Sequence, residues 1–232
     1  MTRPPLAAWG LDGTPEPLPG GHRNTVLRVG DHVLKSTRRS EAAIAWLLPV
    51  ADALLPHKLH VPRPLRSSNG AFVVEGWTCE PFVRGAPCDP SALTAWQGRS
   101  YGLRQRDGFA SAAALRSLST GGDIDLRRMP APLVRAIHHA WAALPKASPC
   151  LVHGDLTRSN LLENETGITI LDWDEARLDH PGFDRVALDS ANAVERRAAD
   201  AWEIACCWQI EPARARGLAR DFISATVRAG KA

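Results

Sequence analysis

The sequence predicts an α+β protein: a small N-terminal antiparallel sheet lobe with one main helix, followed by a mostly helical C-terminal lobe. Three observations carry this expectation. The first eighty residues read as short apolar runs separated by turn signals, apolar residues recur at helical spacing from Asp89 onward, and a hairpin signature over 161–171 interrupts the helical half. The expected division is residues 1–83 as N-terminal lobe and connecting hinge, and 84–232 as helical lobe. A chain of 232 residues can bury a substantial core in one large domain or two small lobes, and two lobes suit an enzyme with a cleft.

In order, a first strand is expected near Glu16-Pro17-Leu18-Pro19, then Gly20-Gly21-His22-Arg23 as a loop. Strands over Asn24–Val29 and His32–Ser36 follow, joined by Gly30-Asp31, a two-residue hairpin with the leading glycine that a type II′ turn requires. Ser40 can cap a helix running to Leu48, with Glu41 placing a carboxylate in its first turn; Pro49 ends or kinks it. A second hairpin is expected from Val61–Arg66 and Ala71–Trp77 around Ser67-Ser68-Asn69-Gly70. Thr78 to Gly85, punctuated by Pro81 and Gly85, reads as a linker.

Beyond it, Asp89 can cap a helix begun by Pro90, Asp107 one running through Ala110 to Leu118, and Ala131–Trp141 repeats apolar residues at helical spacing. Two further helices are expected around Glu195–Ile210 and Pro212–Val227. Trp202, Cys206 and Ile210, four residues apart, form a core stripe first and a substrate wall second. Adjacent His138 and His139 point in different directions on their helix, so both cannot face one site.

The chemistry concentrates in two segments, His153-Gly154-Asp155-Leu156-Thr157-Arg158-Ser159-Asn160 and Leu171-Asp172-Trp173-Asp174. Between them, two apolar runs flank Asn164-Glu165-Thr166-Gly167, so the chain folds back and sets Asn160 opposite the Leu171/Asp172 end, with Asp155 close by. An amide oxygen and carboxylates at one rim are ligands for a hard divalent cation such as magnesium, which keeps waters and substrate phosphates in its other positions. Phosphoryl transfer uses an Asp to accept the attacking hydroxyl's proton, an Asn after four intervening residues and a later Asp on the metal; Asp155, Asn160 and Asp172 fit that spacing.

At these residues the chain resembles the aminoglycoside phosphotransferase and choline kinase-like branch of the bilobal protein-kinase-like fold, whose His-Gly-Asp-(four residues)-Asn and Ile/Leu-Asp-Trp-Asp/Glu hallmarks stand at 153–160 and 171–174. The resemblance implies transfer of the γ-phosphate of ATP or GTP to a hydroxyl of a small molecule such as an aminoglycoside, amino-alcohol or sugar. Asp155 would act as base, Asn160 and Asp172 would hold Mg2+, and His153 would buttress the loop. Arg158 either steadies the transferring phosphate or is simply exposed, and Asp174 is either an auxiliary metal ligand or a polar loop residue. Lys35 would neutralise the nucleotide phosphates, paired with Glu41, unless Glu41 only complements its helix terminus. Gly20 and Gly21 would cover the phosphates or merely turn, since the G-x-G-x-x-G pattern is absent. Backbone near Glu80, Phe82 and Val83 would meet the base, and Asp184, after the Pro181-Gly182-Phe183 turn, would brace the catalytic loop. The short span between Asp172 and that turn leaves little room for a phosphorylated activation loop, which favours a small-molecule kinase over a protein kinase.

Two other classes compete: a nucleotide-binding pseudokinase or regulatory module, and a metal-dependent phosphoesterase built on His153, Asp155, Asp172 and Asp174. Net charge of +3 with scattered arginines makes nucleic acid an unnatural partner, and charges or prolines interrupt every hydrophobic run, so no membrane association is expected. Five cysteines, odd in number and without C-x-x-C spacing, read as buried small hydrophobes, and with no apolar N-terminal core the expected location is the cytoplasm. The C-terminal arginines, including Arg196, Arg197, Arg214 and Arg216, weaken a cationic-antibiotic acceptor and leave its identity open.

Overall fold

The computed structural model describes residues 3–18, 23–93 and 98–229. Its strands are β1 (Glu16–Pro17), β2 (Val26–Val29), β3 (His32–Ser36), β4 (Leu59–His60), β5 (Trp77–Pro81), β6 (Ala86–Pro87), β7 (Thr120–Gly121), β8 (Ile124–Asp125), β9 (Cys150–Val152), β10 (Leu161–Asn164), β11 (Gly167–Ile170) and β12 (Arg177–Asp179). Its α-helices are α1 (Glu41–Ala45), α2 (Leu47–Leu54), α3 (Ala112–Leu115), α4 (Ala131–Ala142), α5 (Gly182–Arg185), α6 (Ala193–Ile210) and α7 (Pro212–Ala229). The chain divides into two compact units, Met1–Ala92 with Thr157–Trp173, and Leu93–Leu156 with Asp174–Ala232. A single cut after residue 83 therefore does not describe the packing, because β10 and β11 fill the middle of a sheet in the first unit.

In the first unit one antiparallel sheet runs β1-β2-β3-β5. The β2–β3 hairpin closes at Val29↔His32 around Gly30, whose φ of +58° is the left-handed value the turn demands. Val29, Leu34 and Trp77 form one buried cluster on it, backed by Leu6, Trp9, Leu11 and Leu27. The second sheet runs β4-β11-β10-β6, with β11 parallel to β4 and the other pairings antiparallel. Its central hairpin turns where expected: Asn164 pairs with Gly167, and the Asn164 side-chain oxygen accepts from the Thr166 amide at 2.9 Å.

Several expectations are corrected. The Ser67–Gly70 turn forms, with the Ser67 amide donating to Ala71 at 2.8 Å, but Val61–Arg66 makes no ladder with Ala71–Trp77. Pro62 and Pro64 remove donors from that stretch, and beyond an isolated Val74–Trp77 bridge the strand begins at Trp77. Pro49 lies inside α2, in its first turn, where its missing N–H is tolerated; the break falls upstream at Trp46, beside the Ala45 carbonyl with which the proline ring competes. Asp89 caps only a 3₁₀ turn, Pro90–Ala92, accepting from the Ser91 amide at 2.9 Å. The helix expected from Asp107 is the short α3, capped instead by Ser111, whose hydroxyl accepts from the Ala114 amide at 3.2 Å.

In the second unit α4, α6 and α7 enclose the main core, where Trp141, Trp202 and Phe183 meet at ring-centroid distances of 5.8 and 5.4 Å. α6 starts earlier than its apolar pattern, at Ala193, because Asn192 and Glu195 form a complete capping box. Trp202 and Cys206 lie in the core, as the stripe required. All five cysteines are buried free thiols, and burial pushes Cys79 and Cys150 up to about 12. Among the described residues no helix is long and apolar enough to cross a membrane.

Gly167 anchors the second sheet: a Cβ there would lie 2.2 Å from the Lys58 carbonyl oxygen, and its φ is +138°. Gly167→Ala is expected to cost roughly 2–4 kcal/mol of stability in a urea titration, through steric displacement of β4 and backbone strain. A loss below about 0.5 kcal/mol would show that β11 and β4 can separate cheaply.

Candidate active site

One pocket of about 560 Å³ lies wholly within residues of the first unit. Leu18, Val26 and Val33 line it from the sheet, Glu80 to Gly85 form another wall, and Leu162 and Leu171 come from the β10–β11 hairpin. Its polar residues are Lys35, Glu80, Arg84, Ser159, Asn160 and Asp172, so an apolar slot carries cations, carboxylates, a hydroxyl and an amide. The hairpin register explains the convergence. The Leu171 amide donates to the Asn160 carbonyl at 2.7 Å, one step beyond the Leu161↔Ile170 pair, which holds Asn160 opposite the residue before Asp172.

Lys35, on β3 between Val26 and Thr78 of the neighbouring strands, has a side chain only 14% exposed and pairs with the Asp172 carboxylate. Asp172 occupies the left-handed region at φ +59°, a conformation that costs a non-glycine residue energy and that an aspartate tolerates better than most. Glu41 does not join Lys35. Its two carboxylate oxygens accept from the Phe72 and Val73 amides at 2.7 and 2.9 Å, stitching the start of α1 to the segment after the Ser67–Gly70 turn. This is a structural use beyond the two readings of Glu41 that the sequence offered. Gly20 and Gly21 lie outside the described residues.

The linker offers fewer backbone donors than its length suggests. Pro81 has no N–H, and the Phe82 amide donates to the Asp31 carbonyl at 2.8 Å, which leaves the Val83 amide uncommitted among the described residues. The Phe82 ring carries the Arg28 guanidinium at 4.0 Å and that of Arg84 at 5.5 Å. Asn160 and Asp172 supply hard oxygen donors to one pocket, a set that suits magnesium with its remaining positions left to water and phosphate. Among the described residues no group of three or more His, Cys, Asp and Glu could hold a metal by itself. Asp174 belongs to the second unit and does not line the pocket.

The second unit carries the other half of the motif. β9 delivers His153 and Gly154, whose amides donate to the two oxygens of the buried Asp184 carboxylate at 2.7 and 2.8 Å. Gly154 turns at φ +84°, and the Asp155 amide donates to Nδ1 of the fully buried His153 at 3.3 Å. Asp155 itself is exposed. Arg158, in the first unit, is exposed on a 3₁₀ turn, Arg158–Asn160.

Two arginines here escaped the sequence reading. Arg106, 1% exposed, donates to the carbonyls of Asp174 and Ala176, and Arg177, 0% exposed, donates to the intervening Glu175 carbonyl at 3.1 Å and to Asp179 at 2.8 Å. Arg-x-Asp in a short strand places both charges on one face, which is the signal that could have found Arg177; Arg106 sits in a loop with no periodicity to mark it.

A family model described as the phosphotransferase enzyme family matches residues 14–218. Among solved structures, a choline/ethanolamine kinase family protein from Mesorhizobium loti superposes with a TM-score of 0.52 at 19% identity, covering 93% of this chain and 87% of that one. An amicoumacin kinase, solved with AMP-PNP and Ca2+, gives 0.52 at 14% identity over 94% and 74%. No curated protein sequence matches. The fold is the protein-kinase-like α+β fold, and the class it defines with the family match is that of phosphotransferases. The chain belongs to the phosphotransferase enzyme family.

The turn before Asp184 carries a pH-dependent element. His180 Nδ1 accepts from the Gly182 amide and Nε2 donates to the Pro145 carbonyl, both at 3.0 Å, an arrangement that needs the neutral ring. Burial, seconded by Arg185, holds its pKa below the usual 6.5 although Pro145, Glu195 and Asp179 pull upward. A depressed folded pKa gives a stability contribution that is complete above pH 6.5 and disappears as the pH falls through the folded value. Melting curves between pH 8 and pH 5 should show His180→Gln losing less stability on acidification than the parent; parallel losses would assign the acid sensitivity to other groups.

Proposed function

We propose that the protein transfers the γ-phosphoryl group of ATP or GTP to a hydroxyl of a small molecule of aminoglycoside, amino-alcohol or sugar type. The observation that carries this reading is the convergence of Lys35, Asn160 and Asp172 on one pocket walled by Glu80 to Val83. The base would lie in the apolar part of the slot, with the Val83 amide as its donor, and Lys35 would turn to the phosphates. In this reading the first unit, Met1–Ala92 with Thr157–Trp173, serves the nucleotide, and Leu93–Leu156 with Asp174–Ala232 supplies Asp155 and the acceptor surface. A supply of nucleoside triphosphate and five buried free thiols suit the cytoplasm.

Asp155 accepts the proton of the acceptor hydroxyl as its oxygen bonds to the γ-phosphorus, and the bond to the β–γ bridging oxygen breaks to release the nucleoside diphosphate. Asn160 and Asp172 would hold magnesium, which when bound neutralises charge on the phosphates. Arg158 would be the cation that steadies the transferring group. His153 and Asp184 keep the loop in shape. Most of the rate gain comes from positioning and fixed charge.

The direct test is magnesium-dependent consumption of ATP and of GTP against panels of aminoglycosides, amino-alcohols and sugars. Turnover with one class is expected, whereas nucleotide binding without turnover on any panel would replace the reading by that of a pseudokinase. Asp155→Ala should lower kcat by about 10²–10⁴-fold with nucleotide affinity nearly unchanged, and full residual turnover would remove Asp155 from the mechanism. Asp172→Ala should abolish the magnesium dependence of nucleotide binding measured by calorimetry; the same affinity with and without the metal in the parent protein would contradict its assignment.

A further inference from the structure

The sharpest departure from ordinary core composition lies behind the catalytic loop. Arg177 has no solvent exposure, yet its Nη2 has no hydrogen-bond partner among the described residues. A buried guanidinium with an idle donor is costly, and an apolar side chain of similar size serves stability as well or better. Its surroundings give it another use. On β12 it stands directly across from Val152, the last residue of β9 before His153-Gly154-Asp155. Its guanidinium carbon lies over the Trp202 ring, 3.3 Å from the centroid, and 4.8 Å from that of Phe183, while Asp179 and the Glu175 carbonyl accept from its nitrogens and limit its rotation. Asp179 is itself anchored by the Ala112 and His180 amides.

The guanidinium is thereby pressed against the loop. A Cβ added to Gly154 would lie 2.9 Å from Nη1 of Arg177 and 3.1 Å from the Glu175 carbonyl oxygen. With its amide donating to Asp184 at 2.8 Å, Gly154 is held by a hydrogen bond to one group and a close wall formed by another. We propose that Arg177 is a positioning residue for Asp155: its stacked, immobilised guanidinium is the wall that keeps Gly154 at positive φ and so fixes the direction in which the next residue leaves the loop. Asp184 ties the amides, and Arg177 limits the remaining freedom of the turn. The catalytic consequence rests on the proposed role of Asp155 as base.

The test uses the full chain with Arg177→Met and with Arg177→Met combined with Asp179→Asn. The single change leaves a buried carboxylate without its cation and should lower the melting temperature; the double change removes that charge and should recover most of it. Both variants should keep KM for ATP within about twofold, because the pocket lies in first-unit residues, while kcat with the best acceptor from the panel falls at least about tenfold. Amide hydrogen exchange over residues 150–156 should accelerate in both. If kcat and exchange return to parental values in the double variant together with its melting temperature, Arg177 is structural and the proposal is overturned. Should Arg177→Met fail to fold, the double variant decides alone. If the parent protein turns over no acceptor, the functional reading fails, while exchange over 150–156 still decides the positioning role: parental rates in the double variant overturn it, and faster ones uphold it.

Discussion

The hydrogen bond from the Leu171 amide to the Asn160 carbonyl closes the open end of the β10–β11 hairpin, and the layout of the pocket depends on it. Side chains alternate faces along a strand, so a one-residue slip in this hairpin would carry its inward residues to the opposite side. Asn160 and Asp172 lie just past the last ladder pair, where the chain can leave strand geometry and aim both at Lys35's strand. The opposite end is pinned by contacts of another kind, the Asn164 side chain holding the turn and Gly167 lying against the Lys58 carbonyl. With both ends fixed, a ten-residue segment joins the lysine of β3 to the amide and carboxylate that follow the catalytic loop in sequence.

The second unit solves a different problem with buried charge. Asp184, Asp179 and Glu195 are nearly inaccessible, and each is engaged by backbone amides as well as, for the last two, an arginine. Such groups cost solvation, and amide donors offset that cost best when several meet one carboxylate. For Asp179 burial outweighs the pull of Arg177 and raises its pKa above the usual carboxylate value. What these groups deliver is direction. Two successive amides bound to one carboxylate narrow the conformations open to His153-Gly154 more sharply than packing of apolar side chains could.

The parts of this molecule written in local chemistry were legible from the sequence. Turn residues announced the β2–β3 and β10–β11 hairpins, helical periodicity announced α4, α6 and α7, and the hairpin between Asn160 and Asp172 announced that these two meet at one pocket. Interactions that depend on distant partners were not legible. Glu41 reads as a favourable charge at a helix start or as a partner for Lys35, and only the tertiary path of Phe72 and Val73 shows which donors its carboxylate takes. Arg106 looks like one more scattered basic residue, because burial of a cation in a loop leaves no periodic trace, and Arg177 is marked only by the Asp two residues on. The failed Val61–Trp77 hairpin shows turn chemistry succeeding while strand chemistry fails, with two prolines denying the ladder its donors.

The composition of the first unit from two stretches, Met1–Ala92 and Thr157–Trp173, bears on how this protein can be divided or inherited. Deleting the second stretch would remove the two central strands of a four-stranded sheet and leave β4 and β6, two residues each, with open edges and nothing between them. A gene fragment ending at residue 92 therefore encodes no self-sufficient nucleotide module. Asp155 lies two positions before one exchange of the chain between units, and Asp172 and Asp174 straddle another. Shuffling either unit as a cassette would cut the chain beside the residues to which the proposed reaction assigns the chemistry, so the motif and the two-part architecture are constrained to evolve as one piece.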